Sequence, residues 1–294
     1  MNGLKPGVAV RGENRDISDL EDRVFYLEHQ PALPLAPFVR TIWYARAPRV
    51  GHRRERVLPT GRTQVILNLD RDWLHDCTEG RPPERVAPAL IVGARSIYEI
   101  IDCSDMAELI GIVFEPGGFS AFARDAADQF SNRSISLEDL WGPSAQTLRD
   151  SLRELATPQE RIGYLEQFLL LGFAARLSRK PMVEFALGRF DRAPGLMTVR
   201  DVARSTGWSE RRFSQVFREE VGFSPKVWCR IRRFQRTVEL LHMGADVPWS
   251  RLAIDCGFYD QPHFANEFKA FSGIDATTYS ALRTAPWANH VPLD

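Results

Sequence analysis

The chain has 294 residues, of which 44% are hydrophobic and 26% are charged, a composition typical of soluble globular proteins. Lys plus Arg and Asp plus Glu both total 38, which excludes a uniformly polycationic or polyanionic surface. Apolar runs fall short of the roughly 20 residues that cross a bilayer, and the polar N-terminus lacks a secretory signal. The four cysteines form no C-x-x-C pair. We therefore expect a cytoplasmic protein without disulfides, a zinc site or membrane contact.

Residues 1–130 have the pattern of a β-rich domain. Five segments are short, rich in β-branched and aromatic residues, and separated by proline and glycine: "VFYLEH", "FVRTIWYARA", "RTQVILNLD", "ALIVGARSIYEIID" and "ELIGIVFEPGGF". Because no helical periodicity intervenes between them, the pattern favours an antiparallel barrel or sandwich over alternating strands and helices.

The pattern becomes helical over residues 131–188. The segment "PQERIGYLEQFLLLGFAARL" places apolar side chains at helical spacing, and four of them, residues 168–171, are consecutive. One narrow stripe cannot hold all four, so we expect one side of this helix to pack on the β-domain and the other to meet a second subunit in a homodimer. Residues 189–195 predict a linker, since they contain proline and glycine, and residues 285–294 predict a flexible tail.

Residues 196–284 contain one small helical unit twice. The segments "GWSERRFSQVFREEVGFS" at 207–224 and "GFYDQPHFANEFKAFSGI" at 257–274 both begin with glycine and an aromatic residue and carry an F-x-x-x-F pair. In each copy a short helix precedes the first glycine, which can turn the chain with a positive φ, and a second helix follows it. Two short helices joined by a turn that contains glycine form the helix-turn-helix pattern.

Polar residues mark where these helices begin. Thr198 followed by Asp201 resembles a capping box, Ser209 is expected to cap the second helix of the first copy, and Asp260 that of the second. Pro262 fits the first turn of its helix, where no intrahelical hydrogen bond is lost. Between the copies, "VWCRIRRFQRTVELLHMG" predicts one amphipathic helix that sets their separation.

A plain helical bundle would explain the aromatic residues as core, but two copies in register with exposed polar faces favour DNA binding. Residues 196–284 hold 13 Lys plus Arg against 10 Asp plus Glu, a modest basic excess that agrees with it. The segments "IDCGFYDQPHFANEFKAFSGI" and "GFSPKVW" resemble the DNA-binding domain of AraC/XylS-family transcription regulators. That resemblance implies seven helices, two of which enter successive major-groove segments on one face of the DNA.

The resemblance also implies which residues contact DNA. Six lie where base-edge contacts are usual: Arg211, Ser214, Gln215, Gln261, His263 and Asn266. Their chemistry agrees, because arginine pairs with guanine and glutamine or asparagine with adenine. Three further residues, Arg212, Arg218 and Lys269, are expected to contact phosphates, which position the protein without reading sequence.

The N-terminal segments "LPLAPFVRTIWYARA", "RERVLPTGRTQVILNL" and "AELIGIVFEPGGFSAF" resemble a domain found on many AraC-like regulators. By analogy of fold, this implies a cupin-like β-barrel that senses a small-molecule effector, with Arg62, Gln64 and Arg95 as candidate pocket residues. The expected fold is therefore α+β with two domains: an antiparallel barrel followed by helices, then an all-α domain of two helix-turn-helix units. The expected function is sequence-specific transcription regulation on double-stranded DNA, with RNA polymerase as a candidate partner and no cofactor.

Two other functions stay open. One is a cupin-like enzyme or metal-binding domain fused to a DNA-targeting module. It would need a convergent acid, base or metal set, but His52 and His75 are far apart in sequence and no H-x-H motif with a following glutamate occurs. We therefore assign no catalytic residue and no metal ligand. The other is a DNA-binding regulator that is controlled by a protein partner and takes no effector.

Overall fold

The computed structural model describes residues 25–46, 52–77, 82–104, 106–192, 197–244, 248–282 and 288–293. The N-terminal part is built of antiparallel strands and the C-terminal part of helices, which confirms the α+β class with two domains. The strands are β1 (Phe25–His29), β2 (Val39–Arg46), β3 (Arg54–Val57), β4 (Gln64–Asn68), β5 (Leu74–Asp76), β6 (Glu84–Val86), β7 (Ala89–Val92), β8 (Glu99–Asp102), β9 (Glu108–Phe114), β10 (Ser134–Ser136) and β11 (His290–Pro292).

Three antiparallel sheets make up the N-terminal domain. The largest has six strands in the order β1-β2-β9-β4-β7-β10, the second has the order β11-β3-β8, and the third pairs β5 with β6. In the central strands β4, β7 and β9 most side chains are buried, because both faces of the sheet are covered. Among the described residues the pairings do not close into a barrel, so the arrangement is that of packed sheets.

The helices follow the strands in the chain. They are α1 (Leu137–Trp141), α2 (Pro143–Glu154), α3 (Pro158–Phe173), α4 (Pro181–Arg192), α5 (Val199–Ser205), α6 (Glu210–Val221), α7 (Pro225–His242), α8 (Trp249–Asp255), α9 (Gln261–Ser272) and α10 (Ala276–Leu282). Thr157 caps α3 in a complete capping box with Glu160, which gives this helix a sharp start. The buried face of α3 carries Ile162, Leu165 and Leu169 and packs on β2, as expected.

Two of the predicted boundaries differ from the structure. The linker expected at 189–195 begins too early, because α4 continues to Arg192 and buries Phe190 against Phe217 with ring centroids 5.9 Å apart; residues 193–195 lie outside the described residues. The flexible tail expected at 285–294 contains β11, which pairs with β3 in the N-terminal domain. Both errors have one cause: contacts made over long sequence separations outweigh local glycine and proline signals.

The two domains are packed against each other. Leu58 and Ala94 of the N-terminal domain belong to the same buried cluster as Ile231 and Phe234 of α7. Gln235 in α7 donates from Nε2 to the backbone carbonyl of Pro59 at 2.8 Å. The N-terminal domain is thus held directly on the helix that connects the two repeated units.

Candidate nucleic-acid interface

The first repeated unit consists of α5, a turn and α6. Gly207 adopts φ +74° in the turn, a backbone conformation that favours glycine. Ser209 then caps α6 by accepting a hydrogen bond at Oγ from the amide of Arg212 at 3.3 Å. Below the turn, Phe213 and Phe217 are fully buried, with ring centroids 5.9 Å apart. This packing fixes which side of α6 is left exposed.

The second unit repeats this construction with α8, a turn and α9. Gly257 adopts φ +83°, and the Asp260 carboxylate caps α9 by accepting from the amide of His263 at 2.8 Å. Pro262 lies in the first turn of α9, where its missing N–H has no helical partner to lose. Phe264 and Phe268 are buried in the positions that correspond to the two phenylalanines of α6. Both repeats therefore form helix-turn-helix units with the expected caps.

The helix α7 joins the units and orients α9. Its apolar face buries Ile231, Phe234 and Val238. On a neighbouring face, Arg230 donates from Nε to Glu267 in α9 at 2.5 Å, and Arg233 donates to the same carboxylate at 3.3 Å. Because Glu267 is nearly buried, these two arginines neutralise it, and the shared carboxylate fixes α9 against α7.

The residues predicted to read bases lie on the outer sides of α6 and α9. Four of them are exposed: Arg211, Gln215, Gln261 and Asn266. The other two, Ser214 and His263, are half-buried. His263 accepts a hydrogen bond at Nδ1 from the amide of Tyr259 at 3.2 Å, which holds its ring close to the turn.

The residues predicted to contact phosphates have different surroundings. Lys269 is exposed. The Arg212 guanidinium lies over the Trp208 ring, 5.4 Å from its centroid, which restricts the side chain beside the turn. Arg218 instead forms an ion pair with Asp128 of the N-terminal domain, with 3.0 Å between Nε and Oδ2. One of the three side chains predicted to contact phosphates is therefore already paired with a carboxylate of the N-terminal domain.

The N-terminal domain docks on the C-terminal ends of both second helices. Gly222 ends α6 and Gly273 ends α9, both with positive φ. A Cβ at Gly222 would lie 2.8 Å from Ser131 Oγ, and one at Gly273 would lie 2.4 Å from the Tyr98 ring. Ser131 also donates to the carbonyl of Gly222 at 2.6 Å. The docking covers the ends of the helices and leaves their first turns accessible.

A cavity of about 1230 Å³ lies in the N-terminal domain, and its lining includes Arg62, Gln64 and Arg95, the three residues proposed for an effector. Arg95 pairs with Glu99 at 2.6 Å, whereas the Nε atoms of Arg62 and Arg95 are buried without a hydrogen-bond partner among the described residues. Burial, together with the nearby charge of Arg40, lowers the pKa of Arg62 to about 10.

Sequence reasoning missed several polar groups around this cavity. One of them is the carboxylate of Glu99, which lies four residues after Arg95 and pairs with it.

 Burial raises the pKa of Glu99 in spite of the opposing charge of Arg95. A second group comprises His52, Glu55 and Cys103, whose potential ligand atoms all lie within 4.8 Å of one another. The spacing His52-x-x-Glu55 was visible in the sequence, but nothing local placed Cys103 beside it.

A pair of helix-turn-helix units on one connecting helix defines the C-terminal part as a DNA-binding domain. Comparison with known families agrees: residues 202–281 match the model described as "Helix-turn-helix domain". The expectation of a helix-turn-helix domain at this end of the chain is confirmed. Residues 27–136 match the model of a domain of unknown function, DUF6597. No curated protein is similar enough to this chain to count as a match.

Several solved structures are similar to parts of the chain. An AraC-type transcriptional regulator from Chromobacterium violaceum is 22% identical, with 36% of this chain and 96% of that one covered and a TM-score of 0.34. The DNA-binding domain of AdpA in complex with a target DNA is 24% identical, with 35% and 91% covered and a TM-score of 0.32. ToxT from Vibrio cholerae is 11% identical, with 79% and 97% covered and a TM-score of 0.46.

Within the described ranges, none of the helices combines the length and the apolar character that crossing a membrane requires.

Proposed function

We propose that this chain is a sequence-specific DNA-binding transcriptional regulator of the AraC/XylS type. The observation that carries the proposal is the pair of capped helix-turn-helix units, each with a buried aromatic face and an exposed polar face on its second helix. A helical bundle without a nucleic-acid partner would not require the same turn, cap and polar face twice.

In this proposal α6 and α9 enter the major groove. Arg211, Ser214 and Gln215 read base edges from α6, and Gln261, His263 and Asn266 read them from α9. Arginine donates two hydrogen bonds to guanine O6 and N7, while the amides of glutamine and asparagine pair with adenine N6 and N7. The two sets differ, so each subunit would recognise an asymmetric sequence.

Phosphate contacts from Arg212, Arg218 and Lys269 would fix the register of the two helices on the duplex. The basic side chains release counterions from DNA, so binding should weaken with salt. Because Arg218 is also paired with Asp128, the N-terminal domain would compete with DNA for this guanidinium.

The cavity in the N-terminal domain is proposed as the effector site. Arg62 is half-buried, its buried Nε has no hydrogen-bond partner among the described residues, and Gln64 lies nearby on strand β4. A buried, unpaired polar group favours a ligand that supplies the missing acceptor, so an effector with an anionic group suits the site. If the cavity binds an effector, the DNA affinity of the chain should change with that ligand. A regulator controlled by a protein partner, and a cupin-like enzyme fused to a DNA-targeting module, do not predict this change.

We further propose a cytoplasmic homodimer that acts on promoter DNA, with RNA polymerase as a further partner. Leu171 on α3 is 79% exposed and lies beside residues that pack on the β-domain, which suits a contact between subunits. Light scattering at micromolar concentration should give twice the mass of 33.4 kDa. A monomer mass would remove the dimer but leave DNA binding untouched.

The test of the proposed function is binding of point variants to a duplex enriched from a random pool. Arg211→Ala should weaken binding about 5- to 160-fold, the equivalent of 1–3 kcal/mol for one bidentate base contact, and should relax preference at one base pair. Arg124→Ala is the matched control, because Arg124 is an exposed arginine of the N-terminal domain. Equal affinities for Arg211→Ala, Arg124→Ala and the unaltered chain would contradict the proposal.

A further inference from the structure

The three-stranded sheet β11-β3-β8 brings together residues from three distant parts of the chain. Antiparallel pairing places Glu55 in β3 opposite Pro292 in β11 and Ile101 in β8. Just beyond the paired residues, the amide of Cys103 donates to the carbonyl of Arg53 at 2.7 Å. Cys103, which directly follows β8, is thereby held beside the start of β3.

This arrangement places an imidazole, a carboxylate and a thiol in one cluster. His52 Nε2 lies 2.5 Å from Glu55 Oε1, and ligand atoms of His52, Glu55 and Cys103 all lie within 4.8 Å of one another. The other oxygen of Glu55 is 2.6 Å from Nδ1 of His290 in β11. The carboxylate therefore has a fixed orientation, with one oxygen toward each histidine.

We propose that His52, Glu55 and Cys103 bind a divalent transition-metal ion of the zinc type. Nitrogen, oxygen and sulfur donors together match the preference of Zn²⁺, whereas Mg²⁺ and Ca²⁺ select oxygen donors. The ligands would move apart slightly from their hydrogen-bonded positions to surround the ion. Three protein ligands leave one tetrahedral position open, and Glu55 and Cys103 both line the cavity, so this position faces a small ligand or water there.

His290 has a separate role in the proposal as a positioning residue. It touches the far oxygen of Glu55 and so orients a ligand without binding the metal itself. Its neighbour Asn289 accepts a hydrogen bond at Oδ1 from Gln235 of α7 at 2.9 Å. Metal binding would therefore also strengthen the attachment of β11, which links the end of the chain to both domains.

The experiment is titration of the full, metal-free chain with Co²⁺, followed by competition with Zn²⁺ and a chromophoric chelator. We expect one equivalent of Co²⁺ to give tetrahedral d–d bands and a thiolate-to-metal charge-transfer band, and Zn²⁺ to displace it. Cys103→Ser should abolish the charge-transfer band, while Cys229→Ser, the matched cysteine control on α7, should keep it. His290→Gln should keep the band but weaken metal affinity about 10- to 100-fold.

Circular dichroism of each variant checks folding, and His52→Ala provides a second ligand variant if Cys103→Ser does not fold. His52→Ala should reduce the metal affinity and alter the d–d bands. The proposal is overturned if the folded chain gives no charge-transfer band with one equivalent of Co²⁺. It is equally overturned if neither ligand variant, folded, changes the spectrum or the affinity.

Discussion

Replacing Asp128 by asparagine should strengthen DNA binding, although the change lies in the N-terminal domain. The Asp128 carboxylate is 3.0 Å from Nε of Arg218 on α6. In the proposed complex this guanidinium contacts a phosphate, so the protein's own carboxylate competes with DNA for it. Asp128→Asn keeps the shape of the side chain and removes the competing charge.

The magnitude follows from the exposure of the pair. The Arg218 side chain is 56% exposed and that of Asp128 is 16% exposed, so water screens the attraction. Partly exposed ion pairs contribute about 0.2–1 kcal/mol, which corresponds to an increase in affinity of about 1.4- to 5-fold. Because Arg218 would then pair fully with the phosphate, the slope of log affinity against log salt should steepen by up to about 0.9.

The assay is fluorescence anisotropy with a selected duplex at several KCl concentrations. Asp125→Asn serves as the control, because Asp125 is an exposed aspartate three residues away that loses the same charge. Equal gains for both variants would reflect net charge alone. Weaker binding by Asp128→Asn would refute the reasoning, since it would show that the ion pair supports the DNA-binding form.

Three further outcomes follow from the structure. Lys269→Ala should weaken binding to all duplexes alike and flatten the salt slope by about 0.9; a loss confined to one sequence in anisotropy titrations would contradict its phosphate role. Trp228→Ala should lower the free energy of unfolding in urea by about 3–5 kcal/mol, because this side chain is fully buried; a loss below about 1 kcal/mol would contradict that. Burial acts to raise the pKa of Glu108, but hydrogen bonds from Tyr44 and Arg161 outweigh it, so the pKa is lowered. The stability that the carboxylate contributes is present above its ordinary pKa of about 4.3 and lost as pH falls through the folded-state value. Glu108→Gln should therefore destabilise the chain at pH 7. The difference in free energy of unfolding in urea between this variant and the unaltered chain should shrink below about pH 4. A difference that is constant from pH 7 to pH 3 would contradict this.

The repeated units could be predicted from the sequence because their determinants are local. Ser209 and Asp260 lie three residues before the amides that they cap, and Gly207 and Gly257 lie in the turns that need positive φ. Apolar side chains at helical spacing then give the buried face directly. Such signals act within one or two turns of helix, so no tertiary information is needed.

The arrangement of the sheets could not be predicted in the same way. β3 reads "RERV", a charged segment that becomes a strand only because β8 and β11 pair with it from distant parts of the chain. The cluster at Glu55 has the same origin, since Cys103 and His290 reach it through strand register. Local composition at residues 285–294 indicated a frayed end, whereas pairing with β3 orders residues 290–292.

The contacts of Arg218 show a similar limit at the candidate interface. Its position on the polar face of α6 indicated a phosphate contact, and that prediction still stands. Its ion pair with Asp128 depends on how the two domains pack, which no motif within α6 records.

Selection of bound duplexes from a random DNA pool by the full chain, followed by hydroxyl-radical footprinting, tests the DNA-reading role of α6 and α9 most directly. We expect enriched sites with two separate conserved patches about one helical turn apart, protected on one face of the duplex. Arg211→Ala should remove preference in one patch and Asn266→Ala in the other. A pool that shows no enrichment, or one patch that both variants alter identically, would contradict the presence of two independent reading helices.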